Sequence, residues 1–104
     1  MGEIFTSGVW IAKEGKGEDF VAAWTEMAEW TGREVPGSSW ALLLRDASDP
    51  RRFLSVGPWE SMKAVEGWRA SEGFQQRVGR IRELLESFEP SVLERAAGAP
   101  PGQA

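Results

Sequence analysis

The spacing of apolar residues along this chain changes repeatedly, and each change marks a new element. From Glu3 to Lys13 the run EIFTSGVWIAK is rich in β-branched and aromatic residues, with Phe5, Val9 and Ile11 on one parity and Ile4 and Trp10 on the other. Apolar side chains on both parities predict a strand buried on both faces. After the turn-like EGKG, residues Phe20, Ala23, Trp24, Met27, Ala28 and Thr31 recur at three- and four-residue spacing. That spacing predicts an amphipathic helix closing near Gly32, with Glu18 and Asp19 suited to its N-terminus.

Val35-Pro36-Gly37 breaks the chain, and SSWALLLRD predicts a second strand with Trp40, Leu42 and Leu44 opposite Ala41 and Leu43. ASDPR reads as a turn into a third strand from Arg52 to Gly57, paired antiparallel because so short a loop cannot make a crossover. Pro58 is expected to end that strand. Ser61 and Ser71 are each placed to cap a helix, the first short and carrying Met62, Val65 and Trp68. The second is read as longer, with an apolar stripe of Phe74, Val78, Ile81, Leu84, Leu85 and Phe88. Ser91 to Ala96 is the last expected strand.

Strand, helix, strand, strand, helix, strand is the order of a ferredoxin-like α+β fold, with the helices on one face of the sheet. The domain is expected to span residues 1–96, leaving 97–104 as a flexible C-terminal tail. Helices on one face leave the other apolar face of the sheet uncovered, and a second copy of the same sheet is the simplest cover. A homodimer is therefore the expected assembly.

Composition narrows the chemistry. The 104 residues suit a single domain and carry six Trp and five Phe but no Tyr. The net charge of -4 has the wrong sign for a protein that gains affinity by neutralising phosphates, so nucleic acid is not an expected partner. No apolar run approaches a membrane span and MGEIFTSG lacks the order of a secretory signal, so neither a membrane nor export is expected and a cytoplasmic location fits. His and Cys are both absent. This removes the commonest general base near neutral pH, cysteine nucleophiles and the usual ligands for haem, zinc and iron. No resident metal, haem or flavin is expected.

The segments REVPGSSWALLLRDASDP and FLSVGPWESMKAVEGWRASEGF, with their spacing to EGKGEDFVAAW, resemble the antibiotic biosynthesis monooxygenase family and its wider dimeric α+β-barrel superfamily. The resemblance covers about residues 3–96, and Trp59-Glu60-Ser61 followed by Trp68 is its most specific part. It implies two sheets packed into a barrel, with a pocket between sheet and helices in each subunit. Some members oxidise polycyclic phenols with dioxygen and no cofactor, the substrate supplying the electrons; others degrade haem.

In the phenol-oxidising branch a Trp at the end of the third strand shapes the oxygen site, and Trp59 holds that place. An Asn four residues earlier is replaced by Ser55, and a Tyr six residues later by Val65. A serine donates one hydrogen bond where the amide offers a donor and acceptor pair, so it stabilises a developing oxyanion less. In the haem-degrading branch a helical Trp matches Trp68, but the iron-ligating His aligns with Val78 and the first-strand Asn with Gly8.

Residue by residue, this makes Trp59 and Ser55 the catalytic candidates. Trp68, Trp24, Trp40 and Val65 are candidates to line a site for a flat aromatic ligand, although Trp residues more commonly fill cores and interfaces. Arg77 and Arg80, one helical turn apart, offer guanidinium groups that can hold an anionic or phenolate oxygen, or simply pair with surface carboxylates. The leading expectation is a cofactor-independent monooxygenase acting on an aromatic or quinol-like molecule. The alternatives are a non-catalytic ligand-binding or scaffolding dimer, and a cyclase or isomerase working in the same pocket.

Overall fold

The computed structural model describes residues 3–99. Its elements run β1 (Ile4–Ala12), α1 (Gly17–Glu34), β2 (Leu42–Asp46), β3 (Asp49–Trp59), α2 (Met62–Ala70), α3 (Glu72–Arg82) and β4 (Leu85–Glu94). Among the described residues the four strands form one antiparallel sheet in the order β2-β3-β1-β4, the ferredoxin-like α+β arrangement. No helix among them is long and apolar enough to cross a membrane. Residues 95–99 continue without regular structure, and the remainder of the expected tail, 100–104, lies outside the described residues.

Several boundaries differ from the sequence reading. β2 starts at Leu42, so Trp40 precedes the strand. β3 runs from Asp49 through Trp59 and so contains both Pro50 and Pro58. Pro58 pairs with Phe5 of β1, while the continuous β2 ladder stops at Val56, so the missing N–H leaves no neighbouring strand unsatisfied.

The largest difference lies at the end of α3. α3 ends at Arg82, and Leu84, Leu85 and Phe88, read as the end of its apolar stripe, belong to a turn and to β4. Partnership with β1 overrides the helical spacing: β4 pairs with it from Ala12↔Leu85 to Ile4↔Glu94, giving the central strand a neighbour on each side. Pro90 is tolerated because β4 is an edge strand.

Helix positions follow from capping and burial. Ser61 accepts from the Ala64 N–H and Ser71 from the Phe74 N–H, so each serine opens its helix as expected. α1 continues to Glu34, two residues past Gly32, and closes with the Val35 N–H donating to the Thr31 carbonyl. In the β2–β3 turn the Ser48 N–H donates to Asp46 at 2.7 Å and Arg52 reaches the same carboxylate at 3.0 Å. The Ser48 hydrogen bond, and less strongly Arg52, hold the Asp46 carboxyl below its ordinary pKa against an opposing desolvation.

The helices cover one face of the sheet. There Trp10, Ala12 and Phe53 pack with Phe20, Trp24 and Met27 of α1, Ile81 of α3, and Leu85. Burying Phe20 fully stabilises the fold by about 2–3 kcal/mol. Gly8 is required within this layer, because a Cβ there would stand 2.9 Å from both the Phe88 and Trp10 rings, which stack at 3.9 Å between centroids.

The opposite face carries Phe5, Val9 and Ile11 of β1, Leu54 and Val56 of β3, Leu42 and Leu44 of β2 and Leu93 of β4, as the registers require. Leu42, Leu44 and Leu93 are each about half exposed, at 50%, 51% and 49%. Ser7, Arg52, Ser87, Glu89 and Ser91 share this face, so its apolar part is concentrated along β2, β3 and β1.

Candidate functional site

Between the helix-covered face of the sheet and the helices lies a cavity of about 300 Å³. Small-molecule sites begin at roughly this volume. The floor comes from alternate residues of two paired strands. Thr6 and Trp10 of β1 and Gly57 and Ser55 of β3 line it, on the sheet face that Gly8 and Phe53 share without reaching the cavity. Trp59, two residues beyond Gly57, continues that face.

The roof follows from helical spacing. Trp24, Met27, Ala28 and Thr31 of α1 all line the cavity, as positions three and four apart on one helix face must. Trp68 and Phe74 close it from α2 and α3, meeting edge-on at 4.5 Å, and Trp68 lies 4.8 Å from Trp59. Toward the β2 side Trp40 contributes an exposed ring, 54% accessible. Gly57 lets the chain at Trp40 and Ala41 come this close, since a Cβ there would stand 2.9 Å from the Trp40 carbonyl.

Three indole N–H groups in this layer each donate to a hydroxyl. Trp10 donates to Ser55 at 2.9 Å, Trp59 to Thr6 at 2.9 Å, and Trp68 to Thr31 at 3.1 Å. The Thr31 hydroxyl in turn donates to the Met27 carbonyl at 2.8 Å. Ser55 and Thr6 accept an indole proton, and among the described residues neither hydroxyl has an acceptor for its own. Ser55 is 9% exposed. The cavity is thus an aromatic box whose floor carries two hydroxyls, each accepting an indole N–H. Gln75, Arg69 and Arg82 add polar groups to the lining, and Gln75 donates to the Arg69 carbonyl at 2.7 Å.

Of the sequence candidates, Trp59, Ser55, Trp68, Trp24 and Trp40 lie along this cavity. Val65 and Arg77 do not. Val65 is fully buried beneath α2 and outside the cavity lining. Arg77 ion-pairs with Glu26 of α1 at 3.0 Å and lies 4.3 Å over the Trp30 ring. That clamp joins α1 and α3 on their outer side, where Gly73 leaves room for Trp30; a Cβ there would come within 2.2 Å of the indole. Thr6, Trp10, Thr31 and Phe74 were not foreseen as lining residues. For Thr6 a signal existed, because the pattern Thr6-x-Gly8-x-Trp10 puts all three on one strand face. Among the described residues no group of carboxylates is placed to hold a metal ion.

An antiparallel ferredoxin-like sheet with an aromatic cavity under its helices defines a small α+β domain built around a ligand-sized pocket. The sequence profile described as antibiotic biosynthesis monooxygenase matches residues 8–80, and the chain belongs to that family. Similar solved structures include SnoaB, a cofactor-independent oxygenase from Streptomyces nogalater, at 19% identity and a TM-score of 0.87 over 96% of this chain and 99% of that one. Protein SO0527 from Shewanella oneidensis aligns at 25% identity with a TM-score of 0.80, over 90% of this chain and 91% of its own. PA3566 from Pseudomonas aeruginosa aligns at 20% identity with a TM-score of 0.78, over 93% and 97%. No curated protein matches the chain by sequence.

Proposed function

We propose that this protein is a cofactor-independent monooxygenase that binds a flat, electron-rich aromatic or quinol-like molecule and lets it react directly with dioxygen. The observation that carries the reading is the Trp-lined cavity with the Ser55 hydroxyl, held in place by the Trp10 indole, among its lining. Family membership and the likeness to a cofactor-independent oxygenase support the reaction class. The absence of His and Cys from the sequence agrees with chemistry that needs neither.

In this reading the ring lies among Trp24, Trp59 and Trp68, and Ser55 donates to a substrate oxygen, favouring the phenolate. Loss of a substrate proton gives the carbanion form, whose electrons reduce dioxygen as a carbon–oxygen bond forms. Protonation gives a hydroperoxide, and loss of water leaves a carbonyl, so one CH2 and one O2 become C=O and H2O. Exclusion of bulk water by the aromatic walls favours the step. Trp59, tied to Thr6, shapes the space for dioxygen. A second copy of the chain covers the open apolar face in a homodimer.

A specific observation favours a second reading, ligand binding without turnover. The Ser55 oxygen is already engaged by the Trp10 indole, so it offers a substrate a single donor.

Trp59→Phe distinguishes the readings. It keeps most of the ring volume but removes the donor to Thr6, so the thermal midpoint should fall by only a few degrees. If Trp59 shapes the oxygen site, oxygen consumption with an activated phenol should fall at least tenfold. An unchanged rate with a lowered midpoint would make Trp59 a packing residue only.

A further inference from the structure

We infer that Trp40 is the lid of the cavity, a ring on a bulged strap at its mouth that closes over a bound molecule and slows its escape. This rests on the ring-binding part of the proposed function and gives a role to a residue which that reading leaves without one. The strap is Ser39-Trp40-Ala41, three exposed residues with no regular structure. Both its ends are fixed. On one side Ser38 bridges to Trp59, its hydroxyl donates to the Val35 carbonyl at 2.8 Å, and the Glu60 N–H donates to the Gly37 carbonyl at 2.9 Å. On the other, Leu42 pairs with Val56.

The residue count between these ends decides where Trp40 points. β3 supplies two residues between Val56 and Trp59, and the strap sets three against them. One extra residue is a β-bulge, which interrupts the alternation of side chains and re-aims them. On a regular strand Ser38, Trp40 and Leu42 would share a face. Here Ser38 and Trp40 line the cavity while Leu42 lies on the opposite side of the sheet. Gly57 makes room for the strap, since a Cβ there would stand 2.9 Å from the Trp40 carbonyl and 3.2 Å from the Ala41 Cβ.

The ring so placed is held less firmly than its neighbours. Of the five indoles along the cavity, Trp10, Trp59 and Trp68 donate to hydroxyls, and Trp24 is 9% exposed. Trp40 is 54% exposed, and among the described residues neither its indole nor its backbone enters a hydrogen bond. Its ring can therefore move without breaking one, which makes it the least constrained wall of the cavity. A bound molecule supplies the missing partner. Covering the exposed part of the indole removes on the order of 100 Å² from water, enough to lengthen residence about tenfold.

The test follows protein labelled with fluorotryptophan by fluorine NMR, with β-naphthol as the probe and stopped-flow fluorescence to time its release. The resonance missing from Trp40→Phe assigns the lid. In the free wild type that resonance should shift between light and heavy water, as an exposed indole does, and saturating β-naphthol should remove the shift. Release from Trp40→Ala should be about tenfold faster than from the wild type, and release from Trp40→Phe, which keeps a ring, close to it. A resonance that keeps its solvent shift at saturation, or release from Trp40→Ala at the wild-type rate, would overturn the lid while leaving ring binding intact. If β-naphthol fails to bind the wild type, the ring-binding reading goes and the lid with it. The solvent shift is read on the wild-type chain, so it decides the matter even if the alanine variant folds poorly.

Discussion

Ser55→Ala is expected to lower the rate of aromatic oxygenation by about 100-fold, the usual effect of deleting one donor to a developing oxyanion. The same substitution leaves the Trp10 indole, 4% exposed, without its acceptor, which should cost about 1–3 kcal/mol of stability. The two effects are separable. Trp10→Phe removes the indole donor and keeps the Ser55 hydroxyl, so it should lower stability while retaining most of the rate. Steady-state oxygen uptake and a denaturant midpoint on both variants provide the check. If Ser55 serves only as the acceptor for Trp10, both variants lose stability and neither loses rate.

Leu54→Glu is expected to convert a dimer of about twice the 11.5 kDa chain mass into a monomer in sedimentation. Leu54 pairs with Val9 on one side and Leu44 on the other, in the middle of the uncovered apolar face. On an isolated chain, where Leu54 is 38% exposed, a carboxylate there costs little. At a sheet-to-sheet interface the same carboxylate must leave water without a partner, a penalty of several kcal/mol for each copy. Association then fails. If the wild type pairs through this face, the variant's thermal midpoint should also become lower and lose its dependence on protein concentration. A wild type that sediments as a well-folded monomer at micromolar concentration would remove the dimer from the account.

Much of the fold was legible because its signals are local. The stripe Trp24, Met27, Ala28 and Thr31 declares a helix face, Ser61 and Ser71 cap the helices they precede, and ASDP marks the tight β2–β3 connection. The errors arose where a distant partner decides. Leu84, Leu85 and Phe88 continue the spacing of α3, yet the unpaired edge of β1 draws residues 85–94 into the sheet. Pro58 reads as a strand end, and only the early finish of β2 shows why it is tolerated.

The candidate site divides in the same way. Placing Trp59 and Trp68 together required only that β3 run into α2, and the resemblance supplied Ser55. The Thr6–Trp59 and Trp10–Ser55 hydrogen bonds join residues 53 and 45 positions apart, through a register that no local pattern states. Val65 and Arg77 were candidates by alignment and by residue type, and three-dimensional direction separates them from the cavity. Val65 packs beneath its own helix, and Arg77 turns outward to Glu26 and Trp30.

The most direct test of the account is dioxygen uptake by purified, chelator-treated protein supplied with a quinol-like naphthalene or anthracene derivative. The expected result is uptake of one O2 per oxygen atom inserted into the product, at a rate proportional to protein, insensitive to the chelator and about 100-fold lower in Ser55→Ala. Saturable binding of the same compound with no uptake above its spontaneous oxidation would contradict it.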